Sequence, residues 1–123
     1  MPLRVEYDYD KENEIISRCF HGNVFLENNI ESWDELLSEY DLSKIKGIIN
    51  DFSEANMRME IDEISTLLKF LNNKLKNLSQ IKIAVVSIKP EIIVFPTLAA
   101  NNFPLLNIRP FSTVEGARIW ILR

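Results

Sequence analysis

The chain has 123 residues and a net charge of −4 at pH 7, and hydrophobic and charged residues make up 46% and 26% of it. This length suits one domain over residues 1–123, and the composition is that of a globular protein rather than a disordered or membrane protein. The acidic balance disfavours binding to nucleic acid or to anionic lipid surfaces. No stretch is apolar for long enough to span a membrane. The only cysteine, Cys19, excludes an intrachain disulfide and favours a reducing, cytoplasmic setting.

The first third of the chain predicts a β-hairpin followed by a helix. Apolar and polar residues alternate over much of residues 3–21, around a polar turn at residues 10–13, which predicts an antiparallel hairpin at the edge of a sheet. The dipeptide Gly22-Asn23 predicts the end of the hairpin. Ser32 and Glu35 have the spacing of a capping box, so a helix is expected to begin at Ser32 and to end near residue 41.

The middle of the chain predicts the centre of a parallel sheet. Ile45, Ile48, Ile49 and Phe52 form a β-branched apolar run with polar neighbours, which is typical of a strand buried on both faces. Residues 60–78 carry apolar side chains at steps of three and four, which predicts a long amphipathic helix. A second buried strand is predicted at residues 81–88. Since the helix suits a crossover connection, we expect the two strands to lie side by side and parallel.

The last third predicts an apolar helix, a short edge strand and a C-terminal helix. Residues 91–102 are apolar nearly all round, and Pro96 inside them predicts a kink or a break. Residues 105–108 predict the edge strand, and residues 112–115 form a second capping box that opens the last helix.

The apolar segment is the first candidate site. An apolar helix with a break can line a pocket for a small apolar or lipid-like ligand. The candidate pocket contacts are Ile92, Phe95, Leu98 and Phe103. The same segment can equally be ordinary core or the contact surface of a homodimer.

Polar residues near the ends of the predicted strands form a second candidate site. In parallel sheets, ligands collect at the carboxyl ends of the strands. The polar candidates there are Asp51, Ser53, Ser87, Lys89 and Arg109. The ordinary polarity of loops also explains these residues.

The sequence offers little for catalysis. The only histidine, His21, shares a strand face with Cys19, so a Cys–His couple is geometrically allowed, but an orienting group and an oxyanion donor are not evident. The three glycines are isolated, which disfavours a phosphate-binding loop, and the spacing of acids and His21 does not suggest a metal site. We therefore predict no catalytic residues, no metal and no cofactor.

The order of the predicted elements resembles that of the SpoIIAA-like branch of the STAS family, which is akin to the CRAL-TRIO lipid-binding fold. The resemblance covers nearly the whole chain, roughly Val5 to Leu122. Its most telling segment is Arg109–Ile121, which looks like the family's closing pattern of Arg, Phe, a Ser-capped turn, Glu, Ala and a Trp followed by an aliphatic residue. The segment Ile83–Val86 also looks like the family's fourth strand.

The resemblance implies an α/β fold: a singly wound, mostly parallel sheet with an N-terminal antiparallel hairpin and about four packed helices. It also implies binding rather than catalysis. In the anti-sigma-factor antagonists of the wider family, a serine at the start of the long central helix is phosphorylated, and the added charge alters docking to a partner kinase. The nearest candidate is Ser53, although the segment Asp51–Asn56 lacks the family's Asp-Ser-Ser-Gly type of loop. A plain turn or cap serine is the alternative.

Two hypotheses about function follow from the residues and the resemblance. The first is a non-enzymatic binding or regulatory module with a small apolar ligand near residues 91–102. The second is a protein-interaction domain of the antagonist type. An enzyme built on Cys19 and His21 is a third and weaker hypothesis, which predicts a reactive thiol.

Overall fold

The computed structural model describes residues 2–78 and 80–123, which form one five-stranded sheet with helices packed on both faces. In chain order the elements are β1 (Arg4–Asp10), β2 (Ile15–Val24), α1 (Leu26–Glu39), a 3-10 turn (Leu42–Lys44), β3 (Gly47–Met57), α2 (Ile61–Leu75), β4 (Lys82–Val86), α3 (Pro90–Asn102), β5 (Asn107–Phe111) and α4 (Val114–Leu122).

The sheet has the strand order β1-β2-β3-β4-β5. β1 and β2 form the predicted antiparallel hairpin, and the neighbours from β2 to β5 run parallel to one another. Ile48 lies opposite Ile83, and Asn50 lies opposite Val85, so the two apolar runs are adjacent and parallel. The predicted fold class is confirmed.

The two faces of the sheet carry different numbers of helices. α1, α2 and α3 pack against one face, which we call the three-helix face, and α4 packs against the other, the one-helix face. Side chains of β3 alternate between them, with Ile48 and Phe52 in the larger core and Ile49 in the smaller one. Gly47 allows α4 to approach β3, because a Cβ atom at this position would lie 2.6 Å from Cγ2 of Ile121.

β2 and β3 are both longer than predicted. The hairpin pairing ends at His21, opposite Arg4, as predicted, but β2 itself continues through Gly22 and Asn23 to Val24, which lies opposite Met57 of β3. Gly22 has a φ of 102°, which a glycine adopts without a steric penalty, so the backbone passes this position and keeps pairing. β3 likewise continues past Ser53 to Met57, because its residues 54–57 pair with the end of β2.

The predicted start of the first helix at Ser32 is wrong. α1 begins at Leu26, and Oδ1 of Asn28 accepts the backbone N–H of Phe25 at 3.0 Å. Ser32 is buried inside the helix, where its hydroxyl donates to the carbonyl of Asn29 at 2.9 Å. Ser32 and Glu35 therefore have the spacing of a capping box but do not form one, because the side chain of Ser32 is buried in the core.

α3 continues through Pro96 without a break, because Ile92, Phe95, Pro96 and Ala99 are all buried against the rest of the core. This packing offsets the hydrogen bond that proline removes. At the last helix Thr113, rather than Ser112, is the N-cap, and its Oγ1 accepts the N–H of Gly116 at 3.0 Å. Among the described residues, none of the helices combines the length and apolarity that a bilayer crossing requires.

Candidate functional site

The interior beside α3 is filled. Ile92 and Phe95 are buried, and Leu98 and Phe103 are half-buried against the same core. The cavity next to Phe95 has a volume of about 20 Å³, which is room for one water molecule. An apolar ligand in contact with Phe95 would therefore have to displace packed side chains. The role of these four residues as ligand contacts stays a prediction.

A buried polar cluster borders that cavity on the three-helix face. Arg18 is only 1% exposed, and its Nε and Nη2 atoms donate to Oδ1 of Asn50 at 2.8 and 2.6 Å. Its Nη1 donates to the hydroxyl of Ser32 at 3.1 Å. The guanidinium carbon lies 4.3 Å from the ring centroid of Trp33 and 4.9 Å from that of Phe20. Amide and hydroxyl oxygens and two aromatic faces thus surround the charge.

Burial lowers the pKa of Arg18 to about 10, so the side chain remains charged at neutral pH. Within the described part of the chain, ion pairs join Arg4 to Glu6, His21 to Glu6 and Arg118 to Asp10, and none of them includes Arg18. The cluster joins β2, β3 and α1, and it is closed to solvent. We therefore interpret it as part of the architecture rather than as a binding site.

An open groove lies at the carboxyl edge of the sheet, between the first turns of α2 and α3. Its volume is about 710 Å³. The apolar residues that line it are Met59, Ile61, Ile64, Pro90 and Val94, and the carboxylates that line it belong to Glu60, Asp62 and Glu91. We call it the edge groove.

The edge groove exposes apolar surface that the fold does not require. Ile61 is 66% exposed, although it belongs to the apolar stripe of α2. Ile88, in the loop before α3, is 78% exposed, and Phe25, in the loop before α1, is 51% exposed. Because the carboxyl ends of parallel strands meet at one edge of the sheet, these three residues share one end of the molecule, although Ile88 and Phe25 lie outside the lining of the groove. Clustered exposed apolar residues are typical of a binding surface.

Some of the charge at this edge has a structural role. The backbone N–H of Glu60 donates to Oε1 of Glu63 at 3.0 Å, and that of Glu63 donates to Oδ1 of Asp62 at 3.1 Å. Carboxylates in these positions stabilise the positive N-terminal end of α2. The cations of this edge are engaged internally: Nε of Arg58 donates to Oδ1 of Asn23 at 3.1 Å, and Nζ of Lys89 donates to the carbonyl of Ala55 at 2.6 Å. The lining of the groove itself contains three carboxylates and neither of these cations, so its rim is acidic.

The strand-end candidates fall into three local arrangements. Oδ1 of Asp51 accepts the hydroxyl of Ser53 at 2.6 Å and its backbone N–H at 3.0 Å. Ser87 is buried, and its hydroxyl oxygen accepts the N–H of Lys89 at 3.0 Å. Arg109 lies in the middle of the edge strand β5, opposite Ala84, because β5 continues to Phe111 instead of ending at residue 108 as predicted. Its guanidinium carbon lies 5.3 Å from the ring centroid of Trp120.

Ser53, the phosphorylation candidate, lies inside β3, whereas α2 begins at Ile61 with Glu60 as its N-cap. The carboxylate that accepts its hydroxyl would repel a phosphate attached to the same oxygen. Phosphorylation at Ser53 stays a prediction, and its present hydrogen bonds are those of a turn-forming serine.

Cys19 and His21 share the one-helix face but have different partners. Burial raises the pKa of the Cys19 thiol, and the carboxylates of Asp51, Glu6 and Glu54 raise it further. Sγ of Cys19 lies 3.9 Å from Oδ2 of Asp51, while Nε2 of His21 lies 2.6 Å from Oε1 of Glu6. A thiol with a raised pKa is a poor nucleophile at neutral pH, so these contacts disfavour the enzyme hypothesis.

The comparisons with known proteins identify the fold. No family model matches the chain, and no curated protein matches it. An uncharacterised protein of the DUF3478 family with a SpoIIAA-like fold, from Shewanella loihica, matches with a TM-score of 0.62 and 15% identity over 97% of this chain and 93% of its own. An anti-sigma factor antagonist from Mycobacterium paratuberculosis matches with a TM-score of 0.63 and 13% identity over 99% and 96%.

The anti-sigma factor antagonist SpoIIAA, in its unphosphorylated form, matches with a TM-score of 0.61 and 13% identity over 93% of this chain and 92% of its own. The chain therefore has the SpoIIAA-like α/β fold, as the resemblance implied. None of these three structures is described as a CRAL-TRIO protein.

The sequence did not indicate the edge groove. Ile61 opens a strongly periodic helix, so it was expected to be an ordinary member of the buried stripe. Ile88 was counted within the second buried strand, yet β4 ends at Val86. The signal that could have located the groove is the position of Ile61 in the first turn of α2, directly after the loop that leaves β3.

Proposed function

We propose that the chain is a non-enzymatic regulatory module that binds a partner protein through the edge groove. The partner segment is defined by its chemistry, as apolar side chains flanked by lysine or arginine. The observation that carries the proposal is the 66% exposure of Ile61, beside exposed Pro90 and half-buried Val94, in a groove that three carboxylates also line. We take residues 1–123 as one unit and place it in the cytoplasm, where Cys19 stays reduced.

The groove is complementary to such a segment in both shape and charge. Its volume of about 710 Å³ lies in the range of binding pockets, roughly 300–1,000 Å³, and it is open to solvent, so a helix or an extended segment can lie along it. Buried apolar contacts would supply affinity. Glu60, Asp62 and Glu91 would attract basic residues and speed association, and salt would weaken that attraction.

The comparisons favour a protein partner over an apolar small molecule. Two of the solved structures with this fold are described as anti-sigma factor antagonists. The filled interior beside Phe95 supports the same choice, because its cavity of about 20 Å³ is too small for a lipid-like ligand. A homodimer through α3 has less support, since the inner residues of this helix are already buried within one chain.

Selection from a displayed peptide library tests the proposal without a known partner. The purified chain is immobilised, and Ile61→Lys, which places a cation in the groove, serves as the counter-selection. We expect enrichment of peptides that combine apolar residues with lysine or arginine and whose binding weakens as salt is raised. Equal recovery on the chain and on Ile61→Lys, or enrichment of acidic peptides, would contradict the proposal.

A further inference from the structure

The amino edge of the sheet, opposite the edge groove, carries a second concavity. Its volume is about 620 Å³, and it is bounded by the 3-10 turn, residues just before β3, residues 77–78 and 80–81, and the end of α4. The cationic side chains that line it belong to Lys44, Lys46, Lys82 and Arg123. We call it the basic pocket.

Lys82 is held by contacts within the fold, whereas the other three cations form no ion pair with the described residues. Nζ of Lys82 donates to the carbonyl of Trp120 at 2.8 Å and lies 5.4 Å from the Trp120 ring centroid. Across residues 2–78 and 80–123, the ion pairs within 4.0 Å use other cations, so Lys44, Lys46 and Arg123 have no carboxylate partner at that distance. Three positive charges that form no ion pair at that distance in this part of the chain thus line one concave space.

Glu14 is the carboxylate that lines the basic pocket. It has a φ of 58°, in the left-handed region that residues other than glycine rarely adopt. Glu14 closes the β1–β2 hairpin turn, where a left-handed residue is common. Asp41 influences Lys44 from outside the lining, where its carboxylate accepts the N–H and hydroxyl of Ser43 at 3.1 and 2.6 Å. The pocket itself remains net positive in a chain whose net charge is −4.

We propose that the basic pocket binds a phosphate group, carried by free phosphate or by a phosphorylated small molecule. Lysine ammonium groups are compact charges that bind phosphate oxygens without demanding one orientation. A phosphate near neutral pH carries up to two negative charges and so matches several cations better than a carboxylate does. This site lies apart from the edge groove and is independent of the proposed function.

Amide chemical shifts of the ¹⁵N-labelled chain, titrated with sodium phosphate at constant ionic strength, test the proposal. We expect saturable shifts at residues 42–47 and 81–82. The double variant Lys44→Ala/Lys46→Ala should weaken binding roughly tenfold or more, because charged hydrogen bonds to phosphate are lost. Glu14→Gln should strengthen binding, because a repelling carboxylate is removed. If the lysines had only a structural role, Lys44→Ala/Lys46→Ala and Glu14→Gln would not change phosphate affinity in opposite directions.

Two controls make the result decisive. Lys69→Ala/Arg4→Ala removes two exposed cations that do not line the pocket and should leave phosphate binding unchanged. Phenyl phosphate replaces phosphate in a second titration: tighter binding indicates a phosphorylated small molecule, and equal binding indicates free phosphate. The proposal is overturned if sodium chloride alone reproduces the shifts or if Lys44→Ala/Lys46→Ala leaves them intact while the variant is folded. It is also overturned if those lysines instead support salt-sensitive self-association of the chain.

Discussion

α3 contributes apolar residues to two regions, one of which is a filled core and the other an open groove. Ile92, Phe95 and Ala99 lie in a filled core, whereas Pro90 and Val94 line the open edge groove. The inner side of α3 lies against the core of the three-helix face, while at the groove its first turn faces the first turn of α2. The difference teaches that apolarity alone does not separate core from binding surface, because the tertiary neighbours decide between them.

Removing Phe95 tests the filled region most strongly. Phe95→Ala should lower the free energy of unfolding by about 3–5 kcal/mol, because it leaves a cavity in a packed core. Urea denaturation measures the change. A loss below about 1 kcal/mol would show that this core is loosely packed, and the contrast with the groove would disappear.

The polar part of the same core should be nearly as sensitive. Asn50→Leu removes the amide oxygen that accepts two hydrogen bonds from Arg18, so it should destabilise the chain by about 3 kcal/mol by leaving a buried guanidinium without its main acceptor. The double variant Arg18→Met/Asn50→Leu should recover much of that loss. A double-mutant cycle by urea denaturation measures the coupling, and strictly additive effects would contradict this account.

Lys89 connects α3 to β3, because it is the N-cap of α3 and its ammonium group donates to the carbonyl of Ala55 in β3. Lys89→Met should destabilise the chain by about 1–2 kcal/mol through loss of a charged hydrogen bond. It also uncovers part of β3 beyond the end of β4, so aggregation on mild heating should increase. Lys69→Met, on the exposed surface of α2, is the matched control and should have neither effect.

Truncating a side chain in the groove should weaken peptide binding and leave the free energy of unfolding nearly unchanged, unlike truncation in the core. Ile61→Ala should change the free energy of unfolding by no more than about 0.5 kcal/mol, because the side chain is 66% exposed. The same variant should weaken binding of library-selected peptides by about 1 kcal/mol or more. Denaturation and calorimetry on one sample separate the two quantities. A large loss of stability would place Ile61 in the core.

The hairpin turn provides a carboxylate whose role is stability alone. Hydrogen bonds from Asn13 and Arg118 lower the pKa of Asp10 to about 2, from its usual 3.8. Its contribution to stability is therefore present above pH 4 and is lost as the pH falls from about 4 to about 2. Asp10→Asn should flatten the stability profile in that range without altering peptide binding at neutral pH. An unchanged profile would contradict the assignment.

The sequence predicted the elements whose neighbours are dictated by the pattern itself. Ile48 and Val85 lie on adjacent parallel strands because two buried strands joined by a long amphipathic helix have few alternatives. The stripe of α2 was predicted for the same reason. Ser32 was not, because the partner that draws it inward, Arg18, lies 14 residues earlier and across an element boundary.

The candidate site was harder to predict than the fold. Whether Phe95 borders a ligand cavity depends on α1, α2 and three strands that converge on it, which local patterns do not report. Arg109 was expected at the carboxyl edge because the edge strand was predicted to end at residue 108. The strand β5 instead extends through Pro110 to Phe111. Proline is compatible with this position because β5 is an edge strand.

The central claim is that the edge groove binds a partner segment, and one matched pair of variants tests it most directly. Ile61 and Ile119 are 66% and 62% exposed, on α2 and α4 respectively, so lysine at either position should disturb the fold equally little. Calorimetry with a library-selected peptide should show affinity reduced at least about tenfold by Ile61→Lys and unchanged by Ile119→Lys. Equal affinities for both variants, or a loss confined to Ile119→Lys, would contradict the account.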